Sequence, residues 1–398
     1  LPISMRAFAP NGCYPEGPGY WSYGTDFNVL ALAMLEHAFK TDFGLSALPG
    51  FRETAHFLDL VTGPSGLTFN YADGGSGRST DCALWWFAKR FEQPDVLAYF
   101  ERGAFADYCR NRTPYTGERD FDRLFAFTLF WLQSLPDGLV PRAPLAWSSD
   151  GHVPIVVMRT SWDNATALFV GLKAGSPAAP HGHMDAGSFV LDSEGVRWAY
   201  DLGAEGYHRI ESRKMNLWSS DQNSDRWRIF RLNNLSHNTL VIDGHLQRAK
   251  GTSRVTSFRD GPEPSATLDL SSVYTNASRV LRTGKLLASG EFRLDDTLAG
   301  LRPGATVRWG MVTKAAPDAS RTGALLLRDS GKRLRLTALH DPVTVWKTFE
   351  TAKTPNEWDS PNPGTVMVGF ESVAPATGEL RLSVLFTPGR AERQVQLQ

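Results

Sequence analysis

The chain has 398 residues, with 42 Lys+Arg balanced by 42 Asp+Glu, a length that accommodates more than one hydrophobic core and makes two domains the expectation. Zero net charge argues against nucleic acid as the main partner, because phosphate binding leaves a basic excess, but a short basic groove for an acidic polymer can hide within a balanced total. No apolar run reaches the roughly 18–20 residues that span a bilayer, and Cys13, Cys82 and Cys109 are too few for a disulfide framework and lack zinc-ligand spacing.

Leu1 to Pro10 read like the interior of a domain, without initiator Met or signal peptide, as expected of a chain lacking a natural N-terminal portion. The segment 11–27, NGCYPEGPGYWSYGTDF, follows. It places Tyr14, Tyr20, Tyr23, Trp21, Glu16 and four glycines in a loop leading into a helix. Gly and Pro there hold an irregular backbone and let a bulky substrate approach; sealing the end of a helical array is the plainer use of the same residues.

FNVLALAMLEHAFK (27–40) repeats apolar residues at helical spacing without internal Gly or Pro. FRETAHFLDLV (51–61), CALWWFAKRF (82–91), VLAYFERGAFADYC (96–109) and FDRLFAFTLFWLQ (121–133) predict further helices. Breakers separate them: GPSG (63–66), ADGGSGRS (72–79) and RTPYTGE (112–118). Residues 1–138 therefore read as an array of helical hairpins. LPDGLVPRAP (135–144) is linker-like.

After it the period changes to two. Alternating, β-branched segments include HVPIVVMRT (152–160), TALFVGLKA (166–174), SFVLD (188–192), NTLVIDG (238–244), TVRWGMVT (306–313), ALLLRD (324–329), LRLTAL (334–339), TVMVGFES (365–372) and ELRLSVLFT (379–387). Residues 139–398 are too many for one small sandwich, and a large antiparallel two-sheet sandwich is expected. The fold class is α+β with two domains.

Two constellations in this half can carry chemistry. In HGHMDAGSFVLD (181–192) an extended backbone would put His181 and His183 on one face. Two imidazoles followed by Asp185 are costly to bury without a metal or a hydrogen-bond network. Asp201, in WAYDLGAEGY (198–207), and His237, in RLNNLSHNTLVIDG (231–244), each edge an apolar strand. With His183 they make a His/Asp/His set that suits zinc, with water as a fourth ligand.

Taken together, EGPGYWSYG (16–24), MRTSW (158–162), HGHMDAGSF (181–189), Asp201 to Gly203 and SHNTLVIDG (236–244) resemble the heparinase II/III-like polysaccharide lyases. The resemblance implies an (α/α) toroid followed by a β-sandwich, with substrate in the cleft between. Tyr20 matches the catalytic tyrosine, with Tyr23 the alternative, and His181 matches the catalytic histidine. His183, Asp201 and His237 match the ligands of a divalent metal, zinc by donor type, that mainly supports the structure.

The implied reaction is β-elimination on a uronic-acid polymer: heparan sulfate, hyaluronan, chondroitin or alginate. Tyr20 would protonate the leaving oxygen and could also take the C5 proton. His181 would be the base for the opposite C5 configuration or would hold the carboxylate. Glu16, Trp21, Tyr23 and Arg159 are candidate substrate contacts, and Arg209 and Arg248 are further candidate partners for acidic groups. The implied location is periplasmic or secreted. The family's toroid carries an Asn or His upstream of its tyrosine, for which this sequence has no place, so an incomplete toroid is expected. A metal-dependent glycan hydrolase and a non-catalytic carbohydrate-binding protein are the competing readings; paired-carboxylate hydrolysis through Glu16 and Asp26 is weaker.

Overall fold

The computed structural model describes residues 2–78, 80–110, 124–162, 166–321, 323–341 and 343–389. Helices occupy the N-terminal third and antiparallel strands the remainder, so the α+β organisation follows the change of period near residue 140. The loop at 112–118 and the first residues of the helix expected at 121–133 lie outside the described residues.

The longest helix, α1 (Pro18–Phe39), begins at Pro18 rather than at the first periodic residue, Phe27. Pro at the first helical position has its φ already set and loses no hydrogen bond. Gly17 before it turns the chain at φ +85°, and a Cβ there would lie 2.5 Å from the Tyr71 carbonyl oxygen. Tyr20 therefore stands on the first turn of a helix, not in a loop. The segment expected as one helix at 51–61 divides into a 3-10 turn, Glu53–His56, and α2 (Phe57–Val61). With α3 (Cys82–Arg90), these elements bury Trp21, Phe51, Phe57, Trp85, Trp86 and Phe87 in one aromatic core. They form a layer over a sheet, and closure into a toroid is not seen among the described residues.

That sheet has five antiparallel strands in chain order: β1 (Ala146–Ser148), β2 (Ile155–Arg159), β3 (Phe169–Lys173), β4 (Phe189–Ser193) and β5 (Val196–Ala199). Strands β2 to β4 are buried throughout because each face meets a different layer. Ile155, Val157, Phe169 and Val190 join the helical core, whereas Val156, Met158, Val170, Leu172, Phe189 and Leu191 join the sandwich core. Gly171 leaves room for the Phe69 ring, which a Cβ would approach to 2.4 Å.

Among the described residues the sandwich has three sheets rather than two. A four-stranded sheet runs in the order Lys347–Glu350, Val366–Val373, Thr306–Thr313, Leu240–Ile242. Tyr200 N donates to Val312 O (2.8 Å), which continues β5 onto it. These two sheets make one layer. An eight-stranded sheet, with Ala316–Arg321 at one edge and Arg254–Arg259 at the other, makes the second layer. The expected pair of sheets is thus replaced by two layers built from three sheets, the first layer being split where β5 hands over.

Buried arginines fasten the helical layer to the sheet. Arg159 Nη2 donates to the carbonyls of Asp59 (3.0 Å), Leu60 (2.9 Å) and Thr62 (2.9 Å) at the end of α2, and its guanidinium lies 3.8 Å from the Trp162 ring centre. A cation at a helix C-terminus matches the dipole there. Arg197 donates to Leu67 O and Thr68 O and pairs with buried Asp192, which in turn accepts from Ser65. These contacts fix the seam on which the site is built.

Candidate active site and metal centre

Tyr20, from the first turn of α1, stacks on His181 with ring centres 4.4 Å apart and planes inclined by 29°. His181 ends the loop at 174–180 with φ +53°, a left-handed conformation that costs a non-glycine residue of order 1–3 kcal/mol and is kept only where its surroundings impose it. Gly182 closes the turn; a Cβ there would lie 2.5 Å from Pro177 O. Buried Arg226 holds the same turn, donating to Gly182 O from Nε (3.1 Å) and Nη2 (2.8 Å).

The hub of the site is Asp73, in the turn following Tyr71. Its Oδ2 lies 2.8 Å from His181 Nδ1, its Oδ1 lies 2.9 Å from His183 Nε2, and Tyr207 Oη donates to Oδ2 at 2.9 Å. Arg226 adds a cation 3.6 Å away. Burial works against the charge on Asp73, but hydrogen bonds from the two histidines and the field of Arg226 hold its carboxyl well below the usual range. An ionised carboxylate only accepts, so both histidines donate to it: His181 through Nδ1 and His183 through Nε2. The lone pairs of His181 Nε2 and His183 Nδ1 are left free of Asp73.

Tyr20 Oη and Tyr207 Oη lie 2.7 Å apart. Because the single Tyr207 proton goes to Asp73, Tyr207 accepts from Tyr20. Burial raises the Tyr20 pKa against the opposing hydrogen bond with Tyr207, and burial with the neighbouring Tyr20 and Asp73 raises that of Tyr207 far above the ordinary phenol. Both phenols are therefore neutral near pH 7. The sequence reading did not single out Asp73 or Tyr207, because an Asp in a Gly-rich loop and a Tyr after a turn have commonplace uses.

Next to this cluster, the ligand atoms of His183, Asp185 and His237 lie within 4.8 Å of one another, and all three residues are buried. Each carries a buried atom without a hydrogen-bond partner: His183 Nδ1, Asp185 Oδ2 and His237 Nε2. Such atoms are costly to bury unless something binds them. Burial lowers the His183 pKa despite Asp73, which favours the neutral imidazole that a metal needs. His237 Nδ1 lies 2.8 Å from Asp201 Oδ2. Burial would lower the His237 pKa, but the charge and hydrogen bond of Asp201 raise it, so an ion would compete with a proton at Nε2.

The donor set fits a divalent ion with nitrogen and oxygen preference, and each histidine presents its other nitrogen to a carboxylate, as metal-bound histidines do. Asp185 Oδ1 is ion-paired with Lys173. The geometry thus places Asp185 in the cluster and Asp201 behind His237, whereas the sequence reading had Asp201 in the ligand set.

The candidate substrate contacts are scattered. Glu16 is half-buried and close enough for its charge to raise the Tyr20 pKa. Tyr23 is exposed on α1 and packs edge-on to Phe27 (5.2 Å), outside the Tyr20–His181 cluster. Trp21 is buried in the helical core with Nε1 donating to Thr54 Oγ1 (2.7 Å), because it lies on the inward face of α1. Arg159 is 3% exposed and occupied by three carbonyls. Neither Trp21 nor Arg159 is available to a substrate in this arrangement. Arg209 donates to the carbonyls of Glu357, Trp358 and Asp359, and Arg248 is exposed.

Residues 151–394 match the family model described as heparinase II/III-like, C-terminal. The chain is similar in structure to the heparan sulfate lyase HepC from Pedobacter heparinus, with TM-score 0.71 and 16% identity over 98% of this chain and 55% of that one. It is also similar to two structures of heparinase III. One has TM-score 0.69 and 15% identity over 97% of this chain and 54% of that one; the other has 0.69 and 14% over 97% and 55%. The chain thus spans about half the length of these proteins, and at such identity the likeness shows the fold. No curated protein sequence matches the chain.

Proposed function

The chain belongs to the heparinase II/III-like family, and from that premise we propose that it is a polysaccharide lyase cleaving a uronic-acid-containing polymer by β-elimination. The observation that carries the proposal is the Tyr20–Tyr207–Asp73–His181 cluster, assembled at the seam from both layers. The cluster offers a neutral phenol as acid and an imidazole as base, the pair that β-elimination needs.

The reaction requires a base for the weakly acidic C5 proton, an acid for the leaving O4, and stabilisation of the charge that builds on the C5 carboxylate. His181 presents Nε2 as its free lone pair, because Nδ1–H is committed to Asp73, and it takes the C5 proton. Tyr20 enters as a neutral phenol and gives its proton to O4 as the C4–O4 bond breaks and the C4–C5 double bond forms. The resting state is restored when the proton on His181 Nε2 passes through solvent and the Tyr20 phenolate regains one. The hydrogen-bond directions around Asp73 support this division of labour, with the Tyr20 proton turning from Tyr207 to O4 once substrate is bound. A like arrangement of carboxylate, imidazole and hydroxyl serves acyl transfer elsewhere.

His183, Asp185 and His237 would hold one divalent ion, zinc by donor type, with Asp201 orienting His237. Bound there, the ion supplies structural support rather than chemistry: it ties the 181–185 turn to the segment bearing His237 and so fixes His181. With Asp201 as the ligand instead, its carboxylate would have to give up His237 Nδ1, 2.8 Å away. Metal content of Asp185→Asn and Asp201→Asn, measured on folded protein, separates the two.

The natural substrate is an acidic polysaccharide, and a periplasmic or secreted location follows from such a polymer; among the described residues no helix is long and apolar enough to cross a membrane. The helical layer is proposed as part of an (α/α) toroid. Ultraviolet absorbance during incubation with heparan sulfate, hyaluronan, chondroitin and alginate tests the reaction. Elimination leaves a conjugated C4–C5 double bond, whereas hydrolysis gives saturated ends and no absorbance.

A further inference from the structure

Of the twelve tryptophans, seven are buried, four are half-buried and Trp218 alone is exposed, at 55%. An indole left in water keeps a large apolar face uncovered, so a lone exposed one at a defined place invites an explanation. Trp218 lies against the cluster described above. Its ring stands perpendicular to His181 (centres 5.8 Å apart, 88°) and near-perpendicular to Tyr207 (4.9 Å, 70°). The exposed Trp218 ring thus packs edge-to-face beside the stacked Tyr20–His181 pair.

The ring is also held. Nε1 donates to Glu211 Oε1 at 2.7 Å, and the backbone N donates to Asn216 Oδ1 at 3.2 Å. The carbonyl of the preceding Leu217 accepts from Arg226 Nη1 (3.1 Å), the arginine that grips Gly182 beside His181. One buried guanidinium therefore fixes Trp218 and the catalytic turn to each other. Prior ordering of this kind lowers the entropy cost of binding.

We propose that Trp218 is the stacking platform for a sugar ring adjoining the reacting one, a saccharide subsite of the lyase proposed above and resting on that reading. Indole offers a flat apolar face to the C–H face of a pyranose and keeps its N–H for a polar partner, here Glu211. The segment leading to it, YHRIESRKMNLW (207–218), carries exposed Arg213 and Lys214 against the single acid Glu211. The excess of cations in this segment suits a chain bearing carboxylates or sulfates rather than a neutral glycan.

The test compares the native chain with Trp218→Ala and Trp218→Phe, using tetrasaccharides of heparan sulfate, hyaluronan, chondroitin and alginate, with cellotetraose as the neutral control. In the native chain the contact is read by stopped-flow tryptophan fluorescence with iodide as quencher, before turnover; in all three proteins binding is read by calorimetry in a His181→Ala background, and KM and kcat are measured without that change. The expected result is that at least one acidic tetrasaccharide shields the native chain from iodide and cellotetraose does not. Trp218→Ala then weakens binding about ten- to a hundredfold and raises KM while kcat changes little, and Trp218→Phe recovers most of the loss. Acidic tetrasaccharides that bind Trp218→Ala as tightly as the native chain would overturn the platform and leave the lyase intact. Failure of all four to bind the native chain would overturn both. Unchanged thermal midpoints in the variants establish that folding is not the cause of any loss.

Discussion

Replacing Asp73 by Asn separates the hub from a mere filler, because the two side chains have nearly the same shape. The carboxylate accepts from His181 Nδ1 (2.8 Å), His183 Nε2 (2.9 Å) and Tyr207 Oη (2.9 Å). Asn offers one accepting oxygen and one donating NH2. Either His181 or His183 must then accept from Nδ2, which forces its proton to the other ring nitrogen. If Oδ1 of Asn faces His183, His181 carries its proton on Nε2 and cannot take the C5 proton. If Oδ1 faces His181, His183 puts a proton on Nδ1, into the group of metal ligands. A wrong tautomer of a catalytic histidine costs about 10⁴ in kcat where it has been isolated; a range of about 10³–10⁴ is expected here. The first orientation leaves metal content intact, and the second lowers it. The assay is kcat by ultraviolet absorbance, together with metal content and the 15N shifts of the two imidazoles. A folded Asp73→Asn protein with native kcat and native imidazole shifts would refute the reasoning.

Arg159→Met tests the reading of that residue as a strut. It removes the donor to three buried carbonyls, and with hydrogen bonds from charged groups worth about 1.5–3 kcal/mol each and partial resatisfaction by water, a loss of about 3–5 kcal/mol is expected in denaturant unfolding. KM per folded molecule stays at the native value; a raised KM with native stability would restore the substrate-contact role. Chelation by EDTA is expected to lower the thermal midpoint before activity is lost at a temperature where the chain remains folded, as befits a supporting ion. Immediate loss of activity without a change in midpoint would point instead to a metal that does chemistry.

Glu101 gives a pH signature. Burial, reinforced by Asp81, raises its pKa well above that of an ordinary carboxyl, against the pull of Arg78 and of the hydrogen bond from Trp85 Nε1 (3.0 Å). Its folded pKa lies above its unfolded one, so its neutral form is fully tolerated below about pH 4.5 and its contribution to stability falls as pH rises toward the folded pKa. The stability of Glu101→Gln relative to the native chain should therefore improve from pH 4.5 upward. A difference independent of pH would show that Glu101 is charged in the fold.

Five of the strands from 306 onward were legible because alternation and β-branching are local, while Ala316–Arg321 and Lys347–Glu350 were not picked out. TVRWGMVT and ALLLRD coincide with observed strands, Thr306–Thr313 and Ala324–Asp329. Burial of β2 to β4 on both faces was not legible, since it depends on which layers cover the sheet. Tyr20 was singled out in the sequence, but its place on the first turn of α1 rests on Gly17 and Pro18, which read equally well as loop formers. His181 and His183 were read as sharing a strand face; they are joined instead through Asp73, 108 and 110 residues away, in a turn that local sequence marks only as a breaker. Trp21 and Arg159 misled for the opposite reason: an aromatic and a cation near family motifs suggest ligands, yet helix phase and a helix end claimed them for the interior.

The most direct measurement of the central claim is the appearance of ultraviolet absorbance with the four uronate polymers, for the native chain, Tyr20→Phe and His181→Ala side by side. The account predicts absorbance with at least one polymer and its loss, by about 10³-fold or more, in both variants, with thermal midpoints near the native value. Chain shortening without absorbance, or absorbance that persists in either variant, would contradict it.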